Sequence, residues 1–251
     1  MSGYRWKDGV TVPDKRPTKP NPAWNQCDPN QVGTDEHIQL CLLIGAAPMI
    51  CVNAGDGTPQ EAADWVEYCN GGAETQWGSV RAARGHPEPY NVRTWEIGNE
   101  IWGNWQIGHC DAQEYARRYR DFRQAMLAVD PDLHLIACGF HDWTDPGWNQ
   151  VLFDTCGPTV RSTSLHFLFA NSPAASPLSS HLCQMGYSHH FEAFIRNLDR
   201  RARAHQVDTR FAITELMEIG NGLPYQVHPA TMSEALFFAG TLNACIRTEG
   251  M

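Results

Sequence analysis

Nowhere does the sequence run to some eighteen consecutive apolar residues, and its opening, Met1-Ser2-Gly3-Tyr4-Arg5-Trp6-Lys7-Asp8, holds no apolar stretch. Neither a membrane span nor a secretory leader is therefore legible. Basic residues are scarce: 19 Lys and Arg stand against 28 Asp and Glu, for a net charge of -9 and a pI near 5.6. A nucleic-acid footprint needs clustered positive charge, so that class of partner is not expected and a neutral substrate is. The chain also lacks a Gly-x-Gly-x-x-Gly after its first strand and any P-loop lysine, which argues against nucleotide folds. Its nine cysteines include no Cys-x-x-Cys pair. Scattered thiols of odd number suit reduced side chains in a cytosolic enzyme better than a disulfide framework or a zinc site, and no metal or other cofactor is expected. The histidines at 181, 189, 190 and 205 match no ligand spacing and read as helix-surface residues. His109 and His141 fall in loops.

What is present is a large apolar fraction, 42% of 251 residues, enough to bury a substantial core. Residues 1–33 carry Pro13, Pro17, Pro20, Pro22 and Pro29 and read as an extended loop, in which Trp6 and Trp24 either pin the chain to the core or serve function. Beyond it, short apolar runs alternate with amphipathic segments. The expected strands are 48–53, 92–97, 133–138, 162–169 and 211–215; the expected helices are 37–44, 59–69, 115–129, 148–155, 188–205 and 235–247, with 73–90 a polar loop. On the helix 115–129, Tyr115, Tyr119, Phe122, Met126 and Val129 recur at core-facing intervals.

Strands that alternate with helices imply a parallel sheet, doubly wound or closed as a (β/α)8 barrel. The barrel is favoured because Asn53, Asn99, Glu100, His166 and Glu215 all fall at the C-terminal ends of expected strands, where barrel active sites lie. Glu100 follows an apolar strand and stands among Trp95, Trp102 and Trp105; Glu215 ends another. Two carboxyls brought to one barrel mouth are the equipment of a glycoside hydrolase, one a nucleophile at the anomeric carbon and the other a proton donor that later activates water. Glu218 competes with Glu215 but is expected in a loop, where strand geometry no longer aims it inward.

The run Trp95-Glu96-Ile97-Gly98-Asn99-Glu100-Ile101-Trp102-Gly103-Asn104-Trp105-Gln106-Ile107-Gly108-His109, with Tyr115-Ala116-Arg117, Ala128-Val129-Asp130-Pro131, Ser2 to Gly9, Pro22-Ala23-Trp24, Gly33 to Glu36 and Ile50 to Gly71, resembles the acid/base half of glycoside hydrolase family 51, the α-L-arabinofuranosidases. The resemblance is strong over residues 1–140 and thinner beyond. It implies an α/β fold, a TIM barrel, that retains arabinofuranosyl configuration during hydrolysis without a cofactor. Glu100 then corresponds to the acid/base and Glu215 to the nucleophile, with Asn99, Trp24 and His166 binding substrate. Two departures bear on sugar preference: His166-Phe167-Leu168 stands where the family has His-x-Tyr, and Leu216-Met217-Glu218-Ile219 supplies no tryptophan after the nucleophile.

Aligned this way, the chain covers strands three to seven of an incomplete barrel. Residues 1–251 are expected to be a partial TIM-barrel catalytic domain, a fragment of a longer product that also carries an Arg and an Asn on strand two. Open parallel edges invite association, and the full-length protein is expected to be able to form a homo-oligomer. The competing expectations are a neighbouring barrel glycosidase with another sugar preference and an inactive carbohydrate-binding fragment.

Overall fold

The computed structural model describes residues 3–140, 147–170, 176–219 and 231–251. Two compact units, Met1–Cys138 and Gly139–Met251, divide the chain, and both repeat one pattern of parallel strands and covering helices. None of the described helices is long and apolar enough to cross a membrane.

The first unit opens with 3-10 turns at Trp6–Gly9 and Pro13–Lys15, then a small antiparallel hairpin, β1 (Lys19–Asn21) and β2 (Gln26–Asp28), around the turn Pro22–Trp24. The extended loop expected here is thus partly regular. Proline opens the turns at Pro13 and Pro22, and Asn25, with φ at 49°, takes the left-handed backbone that lets the hairpin close. There follow α1 (Thr34–Ile44), β3 (Met49–Val52), α2 (Pro59–Asn70), α3 (Gln76–Ala83), β4 (Thr94–Ile97), α4 (Ala112–Val129) and β5 (His134–Cys138). β4 pairs in parallel with β3 on one side and β5 on the other. Side chains cap two helix starts, with α4 opening three residues before the expected 115: Thr58 accepts from the Glu61 N–H at 3.1 Å and Asp111 from the Glu114 N–H at 2.9 Å.

Helix α3 corrects the loop expected over 73–90. Its glycine and short length hide it from pattern. It is held instead by its surroundings: the Trp77 N–H donates to Glu67 Oε2 at 2.7 Å, and the fully buried Arg81 donates to the carbonyls of Tyr68, His86 and Pro87. Trp6 docks the N-terminal segment onto α2, stacked on Trp65 at 5.8 Å and edge-on to Trp77 at 5.0 Å. Of the expected core positions on α4, Tyr115, Tyr119, Phe122 and Met126 are buried, whereas Val129 is exposed because the helix ends there against solvent.

The second unit contains α5 (Trp148–Cys156), β6 (Ser162–Ala170), α6 (Pro177–Ala204), β7 (Arg210–Ile219) and α7 (Met232–Arg247), with β6 and β7 parallel. α6 begins well before the expected Ser188, capped by Ser176, whose hydroxyl accepts from the Ser179 N–H at 3.2 Å. β7 outruns its expected end at Glu215 and includes Glu218. Leu165, Phe167 and Phe169 of β6 and Phe211 of β7 bury one sheet face against Phe191, Phe194, Ile195 and Leu198 of α6 and Phe237 of α7, and Ile213 and Leu216 pack on the same cluster.

Candidate active site

In the first unit the backbone itself positions Glu100. β4 ends at Ile97; Gly98 then turns to φ 82°, and Glu100 adopts φ 46°, a left-handed conformation that costs a side-chain-bearing residue. A Cβ on Gly98 would sit 3.0 Å from the Ala54 methyl, so the glycine serves both its torsion and its space. The Glu100 carbonyl accepts from the Gly103 N–H at 2.7 Å, closing a turn, and Gln106 donates back to the Gly103 carbonyl at 3.0 Å. Within that loop the Trp105 indole N–H donates to Glu100 Oε2 at 2.8 Å, and Trp102 meets Trp105 edge-on at 5.3 Å. Glu100 and Asn99 are buried, but Trp105 is 43% exposed. Trp95, which the sequence grouped with them, belongs to the core: it packs on Trp65 and donates to the Val92 carbonyl.

The loop is tied to its neighbour by Arg118 of α4, which donates to the carbonyls of Ala54 at 3.0 Å, Gly55 at 3.1 Å and Gly108 at 2.7 Å. Arg118 and Arg117 both grip Glu114, and these bonds hold its carboxyl down at about 2. Nothing in the sequence marks Arg118, because its three acceptors come from two loops that only the fold brings together. Asn53, expected at the mouth, is occupied in building it: its side chain accepts from the N–H groups of Gly55 and Asp56 and donates to the Tyr4 carbonyl. Trp24 is half-buried in the hairpin turn and lines a cleft with Tyr4, Arg5, Asp8 and Asn30. Ile107, from the loop that carries Glu100, lines the same cleft.

On the inner face below this loop lie Glu96 and the thiols Cys51 and Cys138. Burial, with the Glu96 carboxylate nearby, pushes Cys51 up to about 11 and Cys138 well above the ordinary thiol value. Both stay protonated at neutral pH and are poor nucleophiles.

In the second unit a β-bulge sets the geometry. Leu165 pairs with Ile213 but His166 pairs with Glu215, so Thr214 is one extra residue on β7. Side chains alternate along a strand, and without the bulge, with alternation running unbroken through Thr214, Glu215 would follow Phe211 and Ile213 into the apolar cluster. With it, Leu216 takes the cluster side and Glu215 turns to the face of His166, whose Nδ1 lies 3.6 Å from Glu215 Oε2. His166 is buried while the Glu215 side chain is 38% exposed. Glu218 pairs with Phe169 on the helix side and accepts from Gln184 Nε2 of α6 at 2.6 Å, not in a loop as expected. That places it on the sheet face opposite His166. Of the surface histidines, His189 and His190 are exposed, whereas His181 and His205 are half-buried and meet Ser233 and Asp154. His141 falls outside the described residues.

Comparison with known proteins extends this geometry. Residues 1–173 match the family model of the α-L-arabinofuranosidase 1 domain. The chain is 37% identical over 229 residues to a probable α-L-arabinofuranosidase C of Aspergillus clavatus, covering 89% of this chain and 43% of that protein. It is 34% identical over 201 residues to an intracellular exo-α-(1→5)-L-arabinofuranosidase of Halalkalibacterium halodurans, covering 79% and 39%. The crystal structure of the Thermotoga maritima α-L-arabinofuranosidase in complex with arabinose superposes with a TM-score of 0.80 at 34% identity, over 96% of this chain and 49% of that one. The family 51 enzyme of Thermotoga petrophila gives 0.81 at 34% identity, again over 96% and 49%. The chain thus spans less than half the length of these relatives. Its five parallel strands with their helices form an incomplete (β/α)8 barrel. The matched family model and these structures agree, and the chain belongs to glycoside hydrolase family 51.

Proposed function

We propose that this chain supplies the catalytic pair of a retaining α-L-arabinofuranosidase, which removes terminal arabinofuranosyl residues from plant-type polysaccharides or oligosaccharides in two displacements, and that residues 1–251 act as one partial catalytic domain. Glu100 is the acid/base and Glu215 the nucleophile. The observation that carries the reading is the opposite provision made for two glutamates, one just past the end of β4 and one in the C-terminal half of β7; the C-terminal ends of parallel barrel strands open on one mouth. Glu100 is buried beneath an indole, and a carboxyl withdrawn from water holds its proton more readily. Glu215 is more open and sits beside His166, the setting in which a carboxylate stays charged and able to attack.

In the first displacement Glu215 bonds to the anomeric carbon as the glycosidic bond breaks, and the Glu100 proton passes to the leaving oxygen. In the second, Glu100 takes a proton from water, whose oxygen attacks the anomeric carbon and releases Glu215. Such a pair works at about 5 to 5.5 Å separation. Asn99, beside Glu100, is assigned to a sugar hydroxyl, Trp24 to the cleft wall and His166 to the side of Glu215. The α-(1→5) linkage named for the Halalkalibacterium relative makes arabino-oligosaccharides the first natural substrates to try.

Turnover of 4-nitrophenyl α-L-arabinofuranoside tests the reading. Glu215→Ala should lower kcat by about 10³-fold or more, while Glu100→Ala should retain measurable cleavage of this activated substrate and be rescued by azide. A first-formed sugar of inverted configuration, or full activity in either variant, sinks the assignment. Phe167-Leu168 and the absence of a tryptophan after Glu215 favour one further reading, a barrel glycosidase for another sugar; faster cleavage of an aryl xyloside or glucoside than of the arabinofuranoside would support it.

A further inference from the structure

Trp105 presents an anomaly that packing does not explain. A large indole is left 43% exposed, yet its single polar atom points back at a buried carboxyl, 2.8 Å from Glu100 Oε2. The indole N–H can only donate. The oxygen it binds therefore keeps its lone pairs as acceptor, and the hydroxyl of the protonated acid belongs on the other oxygen.

We infer that Trp105 is the positioning residue of the acid/base: it fixes the Glu100 carboxyl so that Oε1 carries the proton given to the leaving oxygen. As that proton leaves and the glycosidic C–O bond breaks, Glu100 becomes a carboxylate. The indole bond is then charge-assisted and strengthens. The contribution is made in the transition state, so it appears in rate rather than in ground-state binding. Burial favours the protonated acid and the indole favours the charged base, which suits a group that must lose and regain one proton per turnover.

Two features of the loop serve this arrangement. Glu100 is held at φ 46°, so its side chain leaves the backbone in a direction the preceding strand does not offer. Gly103 makes room for the ring: a Cβ there would lie 2.5 Å from Trp105 Cε2 and Cζ2, and the indole would have to move. Trp102 meets the same ring edge-on. The inference rests on Glu100 being the acid/base, and the experiment separates the two.

The test compares kcat/KM, which reports the first displacement alone, for an α-(1→5)-arabinobiose whose leaving group needs protonation and for the 4-nitrophenyl arabinofuranoside whose leaving group does not. Trp105→Phe keeps an aromatic ring, though a smaller one, and removes the N–H; Gly103→Ala keeps the N–H and displaces the indole. Both should lower kcat/KM on the disaccharide by about tenfold or more while leaving the nitrophenyl substrate within about threefold. In ¹⁵N-tryptophan-labelled protein the Trp105 indole proton should resonate at low field and shift upfield in Glu100→Gln. Equal losses on both substrates would make Trp105 merely structural and overturn the inference, as would an indole resonance indifferent to Glu100→Gln. If Glu100→Gln itself retains full activity on the disaccharide, the acid/base assignment falls and the inference with it; a chain that turns over neither substrate does the same.

Discussion

The two glutamates are brought to their places by different means. Glu100 stands beyond the end of a four-residue strand, on a left-handed backbone reached through Gly98 and gripped by its own loop through Trp105. Glu215 lies inside a ten-residue strand, kept off the apolar face by a bulge at Thr214 that breaks the alternation. Position in the first case is stored in local torsions and short-range bonds. In the second it depends on parity along a strand, and so on a core of phenylalanines some distance away. A local device should fail locally, whereas a parity device should fail all at once.

Inserting one alanine between Thr214 and Glu215 tests the parity device most severely. With the bulge kept, Glu215 pairs with Phe167 and its carboxylate enters the cluster of Phe167, Phe191 and Phe237; with the bulge lost, it pairs with Leu168, two residues from His166. Activity should fall as far as in Glu215→Ala, about 10³-fold or more, whereas deleting Thr214, which leaves Ile213 and Glu215 on opposite faces, should cost far less. A fully active and stable insertion variant would show that parity does not set this residue. Phe167→Ala attacks the same face from behind: Phe167 is 2% exposed, follows His166 and stacks on Tyr187 at 4.5 Å. A loss of about 3–5 kcal/mol in urea unfolding is expected, together with reduced activity because β6 loses its anchor.

Gly98→Ala tests the local device. The left-handed torsion should cost about 1–2 kcal/mol, and the added methyl presses on Ala54. Activity should drop more steeply than stability, since only the approach to Glu100 is disturbed; the reverse ratio in paired kinetic and unfolding measurements would contradict the comparison. The smallest effect is expected at Glu114. Its folded carboxyl is held at about 2 against an ordinary 4.5 by Arg117 and Arg118. A depressed carboxyl contributes stability that is complete above the ordinary value and is lost as pH falls from there toward 2. Glu114→Gln should flatten the acid limb of a stability–pH profile, and it should loosen Arg118 from the Ala54, Gly55 and Gly108 carbonyls. A limb of unchanged slope would remove Glu114 from that account.

Much of this was legible beforehand wherever a rule acts over a few residues. The helices expected at 59–69, 115–129 and 235–247 form, capped by Thr58, Asp111 and Thr231, and the apolar runs at 49–52 and 134–138 are parallel strands. The Gly98-Asn99-Glu100 turn was visible as a motif. Helix α3 was not, because a short segment with a glycine becomes helical through Glu67 and Arg81 rather than through its own propensity. Nor was the length of β7, whose continuation through Glu218 depends on pairing with Phe169 and Ala170.

The sequence by itself determined the alternation of strands and helices and pointed to the two glutamates proposed for the site, since period, caps and residue type are read along the chain. Which oxygen of Glu100 meets an indole, which loops Arg118 joins and which face of β7 shows Glu215 were decided only by tertiary structure. Each depends on partners far apart in the chain, or on a one-residue shift between strands that no pattern of single residues records.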